Sequence, residues 1–166
     1  MGMFLTLLGA CLAVALPCIG SSKGVGVASE AANGLTSREP DKFGKLLVLQ
    51  LLAGTQGLYG FIISIMIILK TGILGGMVVK SARVGALYLC ASIAMALGGF
   101  FSAIYQGRVC ATGIQIIAKQ PKDSSKAIVS ASLVELYALL SFIISFLIII
   151  NIGKVEKILE KLIQKI

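Results

Sequence analysis

The sequence predicts an all-α membrane protein: four transmembrane helices in two tandem hairpins, assembled into a ring. Three observations predict it. Only 13% of the 166 residues are charged and 57% are hydrophobic, whereas a soluble domain is about 25% charged. Four apolar runs, Met1–Ser22, Leu46–Leu69, Val84–Gly107 and Ala127–Ile152, are each long enough to cross a hydrocarbon core of ~30 Å as a helix. Polar breaks that contain proline follow the first and third of these helical patterns, as helix–helix turns should.

The first run reaches Lys23 and its helical pattern continues to Leu35 without a proline. A helix from residue 4 to 35 would be ~48 Å long at ~1.5 Å per residue, longer than the bilayer core. The run lacks a basic start and a cleavage site, so it reads as a span and not as a signal peptide. Met1-Gly2 with Thr6 matches a myristoylation pattern, but a lipid adds little to so apolar a start. The break Thr36-Ser-Arg-Glu-Pro-Asp41 ends this helix, and the second run follows between Lys45 and Lys70. The third run lies between Arg83 and Arg108 and continues as helical pattern to Lys119. After the break Lys119-Gln-Pro-Lys-Asp-Ser124, Asp123 or Ser124 is placed to cap the fourth run, which ends at Lys154. In the tail, Val155, Ile158, Leu159, Leu162, Ile163 and Ile166 recur at helical spacing, with Lys157, Lys161 and Lys165 on another face. That pattern predicts an amphipathic interfacial helix or an extension of the fourth helix. The expected units are a first hairpin (1–70), a connecting loop (71–83), a second hairpin (84–153) and an amphipathic extension (154–166).

The two breaks expose an internal repeat. Pro40-Asp-Lys-Phe-Gly-Lys45 aligns with Pro121-Lys-Asp-Ser-Ser-Lys126, and Phe61-Ile-Ile-Ser64 with Phe142-Ile-Ile-Ser145. Upstream, a two-residue shift sets Lys23-Gly24 opposite Gln106-Gly107. Each hairpin has two spans, so both copies enter the membrane the same way round, unlike inverted repeats.

Small residues follow every fourth position along the third run, from Ala82 through Gly98 and Ser102 to Cys110, beside a second row of Gly99, Ala103, Gly107 and Ala111. The first run has Gly20, Gly24, Ala28 and Ala32 beside Ser22 and Gly26. Such rows let helix backbones approach closely in lipid. Rows on two sides of one helix predict crowding on both sides, as on the inner wall of a ring. The second and fourth runs are bulkier, with Ile62, Ile63, Met66, Phe142, Phe146 and Ile148-Ile-Ile150, and suit an outer wall against the lipid bilayer.

Several functions are excluded. The net charge of +8 does not mark a nucleic-acid protein, because the basic residues cluster at the ends of the apolar runs, where helix anchors belong. There is no His, and Cys11, Cys18, Cys90 and Cys110 form no CxxC pair, which removes zinc and iron–sulfur chemistry. No phosphate loop and no hydrolase carboxylate pair occurs, so the chain is not expected to be an enzyme or to hold a cofactor.

Glu135 is the only carboxylate between Ala127 and Ile152. Such a residue costs at least ~2.5 kcal/mol to insert and faces a partner, an ion or water. In the repeat register Gly54 takes its place in the first hairpin, so only the second carries the acid. Polar residues at membrane depth are few: Gln50, Thr55 and Gln56 in the second run, Gln106 in the third, Glu135 and Tyr137 in the fourth. Hydroxyl, carboxamide and carboxylate oxygens are the hard donors a small cation needs, and one carboxylate balances a monovalent ion. A proton site needs only the acid and a dry pocket, so the surplus of oxygens favours Na+ over H+.

Leu51-Leu-Ala-Gly-Thr-Gln-Gly-Leu-Tyr-Gly60, Ile104-Tyr-Gln-Gly107 and Val134-Glu-Leu-Tyr137 resemble the proteolipid (K or c-type) rotor subunits of V-type ATPases, and among them the bacterial sodium-translocating branch. The resemblance covers residues 4 to 152. It implies a non-catalytic ring subunit of the cell membrane that carries Na+ while other subunits hydrolyse ATP. It also implies a stator subunit that supplies a basic residue, since none lies near mid-membrane here, and a central-stalk subunit. The implied ion ligands are Glu135, Thr55, Gln56, Gln106 and the Leu52 carbonyl, with Tyr59 hydrogen-bonded to Glu135. Ala53 departs from the pattern: relatives often carry a proline there, which frees a carbonyl by breaking the helix ladder. The same rotor carrying H+ is one alternative, and an oligomeric channel or ion-coupled transporter is another.

Overall fold

The computed structural model describes residues 1–163. Among them there is no strand, and four helical segments are long and apolar enough to cross a membrane. Helix α1 spans Gly2–Thr36 and packs most extensively on α4, Ala82–Lys119. The second span is interrupted: α2 covers Phe43–Leu52 and α3 covers Thr55–Thr71. The fourth span is α5, Ser124–Ile163, one helix that runs straight on into the amphipathic tail. Lys165 and Ile166 lie outside the described residues, as do the side chains of Leu159, Leu162 and Ile163.

At ~1.5 Å per residue, the 35 residues of α1 and 38 of α4 are well over the ~30 Å of a bilayer core. Both overhang on the side of the proline turns. There Lys42 and Lys45 at the start of α2 donate to the carbonyls of Ala118 and Pro121, each at 3.0 Å, which ties the two turns together. On the other side the chain reverses through Gly72 and Gly76, whose φ values of 66° and 79° belong to the left-handed region. Ser81 then caps α4 by accepting from the Val84 amide.

Glycine sets how close α1 and α4 come. A Cβ on Gly107 would meet the backbone of Gly24, and one on Gly20 would lie 2.5 Å from the Phe100 carbonyl oxygen. In lipid, where apolar burial gives no drive between helices, this contact area is the main source of adhesion. The two small-residue rows of α4 have separate uses, and both are within the chain. Gly99, Ala103 and Gly107 face α1, while Gly98 meets Ser141 of α5 and Ser102 donates to the Val134 carbonyl at 2.9 Å. Crowding on these two sides of α4 is therefore met within the chain, by α1 of the first hairpin and α5 of the second, and is not by itself a reason for a ring.

Two further readings are corrected. Ile63 and Ile149 are fully buried against α4, so the bulky outer helices are not lipid-facing all round; Leu58, Phe61, Leu133 and Ile144 are their exposed residues. The repeat needs no shift in its inner helices. Pro17 packs on Gly60 as Gly98 packs on Ser141, and Ser21 and Ser102 each hydrogen-bond across to the outer helix. These pairs keep the same register as Pro40 and Pro121.

Candidate functional site

The interruption of the second span organises the site. Ala53 ends α2 at φ −66°, the angle that a proline ring would impose, and Gly54 precedes α3. The ladder thus breaks without a proline. In an unbroken helix the Gly57 amide would donate to the Ala53 carbonyl. Here it donates to Ser21 Oγ at 2.9 Å. The Leu52 carbonyl accepts from Thr55 Oγ1 at 3.0 Å. Gly24 lets α1 approach this loosened turn, since a Cβ there would lie 3.4 Å from the Ala53 oxygen.

The first turn of α3 points Gln56 inward, where it is fully buried. Its Nε2 donates to Gln106 Oε1 from α4. Gln106 Nε2 in turn donates to the Ala131 carbonyl at 3.2 Å and approaches Glu135 Oε2 at 3.5 Å. One α-helical turn past Thr55, Tyr59 donates its hydroxyl proton to Glu135 Oε1 at 2.6 Å. The Tyr59 ring rests on Phe142, with centroids 5.5 Å apart. Glu135 is left 9% exposed. Among the described residues the ion pairs are Lys42–Glu39 and Lys126–Asp123, both near the proline turns, and Glu135 is in neither.

One atom stands out. Gln56 Oε1 is buried with no hydrogen-bond partner. Leaving such an acceptor unpaired costs roughly 1–3 kcal/mol, and it sits on the side chain that leads from α3 to Gln106 and Glu135. The geometry therefore collects, from α2, α3 and α5, a carboxylate, an orphaned carboxamide oxygen, a hydroxyl and a backbone carbonyl at a helix break. Chemically this is an oxygen-rich and largely buried cluster.

Gln56, Gln106, Glu135 and Tyr59 thus form one connected chain of contacts, and Thr55, next to Gln56 in sequence, bonds the Leu52 carbonyl beside it. Gln50 lies outside it: its Oε1 accepts from Ser29 Oγ at 3.0 Å. Tyr137 points outward and is 68% exposed. Sequence reasoning missed Ser21, which supports the broken turn from α1, and Ser102, which braces α5 at Val134, the residue before Glu135. Their signal was a matched pair of serines in the repeat register, each inside an apolar run.

The family model for the ATP synthase C subunit matches twice, over residues 8–67 and 89–148, a step of 81 residues at both ends. A V-type sodium ATPase subunit K from Enterococcus hirae is 47% identical over 150 residues, covering 90% of this chain and 93% of that protein. An A-type ATP synthase subunit K from Methanocaldococcus jannaschii is 33% identical over 152 residues, covering 92% of this chain but only 64% of the longer relative. Two family matches, one per hairpin, over four helices long and apolar enough to cross a membrane, make this a multi-pass membrane protein that belongs to the family of the ATP synthase C subunit.

Proposed function

We propose that this chain is the membrane rotor ring subunit of a V-type ATPase, binding Na+ at Glu135 and carrying it across the membrane as the ring turns. The chain itself is non-catalytic, and ATP hydrolysis belongs to other subunits of the complex. The name of the Enterococcus hirae relative supports the choice of ion. The observation that carries it in this chain is the orphaned Gln56 Oε1, on the side chain that bonds Gln106, which in turn approaches the Glu135 carboxyl group. A cation, unlike a proton on Glu135, also needs the surrounding neutral oxygens.

In this reading Na+ takes the Glu135 carboxylate, Gln56 Oε1, Thr55 Oγ1, the Gln106 carboxamide oxygen and the Leu52 carbonyl as ligands. The ion draws Gln106 Oε1 and Thr55 Oγ1 from their present partners. Tyr59 holds the carboxylate closed over it. The loaded site is neutral and can face lipid, where a bare carboxylate costs at least ~2.5 kcal/mol. At the stator a basic residue of another membrane subunit replaces the ion as partner of Glu135. The overhanging ends of α1 and α4, with their proline turns, are the docking surface for a central-stalk subunit. The working units are the hairpins 1–70 and 84–153, with the loop 71–83 between them and the extension 154–166 as an interfacial anchor.

Glu135→Gln tests this reading in vesicles that contain the whole complex. ATP-driven Na+ uptake is expected to vanish while the ring still assembles. Uptake at the unaltered rate rejects Glu135 as the carrier.

A further inference from the structure

The internal repeat locates the seam between copies, and this inference rests on the ring reading above. In a ring of tandem hairpins, the rotation that carries the first hairpin onto the second also carries the second onto the first hairpin of the next copy. A contact between two residues inside the chain is therefore repeated between copies, with the first moved 81 positions forward and the second 81 back. The matched pairs Pro17–Gly60 and Gly98–Ser141 show that this register holds in space.

Inside the chain, a Cβ on Gly9 of α1 would lie 3.0 Å from Ser92 Oγ of α4. Moved through the repeat, Gly9 becomes Cys90 and Ser92 becomes Cys11. The Gly20–Phe100 contact becomes Phe101 against Ile19, and the Gly24–Ala103 contact becomes Tyr105 against Ser22. The six residues generated from these three contacts are all exposed in the single chain. The outer layer obeys the same rule. Gln56 meets Gln106, and the tyrosine at 59 meets Glu135; the copies of Gln56, Gln106 and Glu135 are Tyr137, Val25 and Gly54. Tyr137 is the exposed knob, and Val25 and Gly54 line an open cavity of about 400 Å3.

We propose that each copy docks the α4 face carrying Cys90, Phe101 and Tyr105 on the α1 face of the next copy carrying Cys11, Ile19 and Ser22. Cys90 then neighbours Cys11 of the next copy, and Tyr137 fills that copy's cavity at Gly54. The two kinds of seam differ in width. Within the chain, glycines bring backbones into contact; between copies, Cys90, Phe101 and Tyr105 stand where those glycines were and hold the helices apart. The ring's inner wall alternates narrow and wide gaps. In the outer layer, the Gln56–Gln106 contact inside each chain alternates with Tyr137 seated against Val25 and Gly54 between chains.

The native cysteines test this in the whole protein. The intact membrane ring of the Cys18→Ala variant is treated with a short bifunctional thiosulfonate, with which each thiol forms a mixed disulfide and releases a sulfinate. Cys110 is fully buried. On denaturing gels a ladder of linked copies is expected, from dimer up to the full ring, because each copy offers one Cys11 and one Cys90. Adding Cys11→Ala or Cys90→Ala should each reduce the ladder to monomer. An intact ring that gives no ladder, or dimers that persist in either single variant, overturns the seam and leaves the rotor reading standing. Absence of any ring by native mass overturns both. As a second readout, Tyr137→Cys with Val25→Cys should link copies in the same direction.

Discussion

Replacing Tyr59 by Phe removes one atom from the site and little else. The ring keeps its seat on Phe142, 5.5 Å away, so packing is preserved. What disappears is the 2.6 Å hydrogen bond to Glu135 Oε1. A hydrogen bond to a charged group contributes ~1.5–3 kcal/mol. In the proposed cycle this bond exists while Glu135 is closed over the ion and is lost when it swings out to release it. Its removal therefore lowers the barrier to opening by up to that amount. At ~1.4 kcal/mol per tenfold, the Na+ exchange rate should rise about 10- to 100-fold. The assay is the release of radioactive sodium from purified rings into unlabelled buffer, with ring integrity followed on the same sample. An unchanged release rate in intact Tyr59→Phe rings would refute the role of Tyr59 as the latch.

Two further outcomes follow from the same geometry. Gln56→Leu removes the orphaned Oε1 and should weaken Na+ binding by about tenfold or more while sparing ring assembly, because an ion loses one ligand worth at least ~1.5 kcal/mol; titration of Na+ against purified ring reads this. Gly107→Val would force a side chain into the backbone of Gly24, an overpacking that costs ~1–3 kcal/mol, and should lower the temperature at which the detergent-purified protein unfolds.

The sequence made the chemistry of the site legible because polar residues at membrane depth are costly and therefore rare. Glu135, Gln106, Gln56 and Thr55 could be singled out against an apolar background; contacts join Gln56, Gln106 and Glu135, and Thr55 bonds the Leu52 carbonyl. Helix boundaries were equally plain, since proline turns and charged residues bracket each span. Other features could not be read. Ser21 lies in an apolar run where a hydroxyl commonly bonds its own helix, and nothing local says that it caps a broken turn elsewhere. The break at Ala53-Gly54 carries no proline, so the second run looked continuous. Ile63 and Ile149 face protein, while Leu58 and Leu133 are exposed; lipid tails are as apolar as leucine, so composition alone does not separate the two faces. The small rows of α4 were visible, but whether they met a neighbouring copy or the chain's own α5 depended on which way Gly98 pointed.

In the proposed cycle Glu135 exchanges between a free carboxylate and an Na+-bound one. A carbodiimide reacts with an accessible carboxyl and is blocked when an ion occupies it. In the purified ring, labelling of Glu135 should fall as Na+ is added, at every pH where labelling occurs, and K+ at equal ionic strength should not protect. Labelling that responds to pH but is indifferent to Na+ would contradict the account and make the cargo a proton.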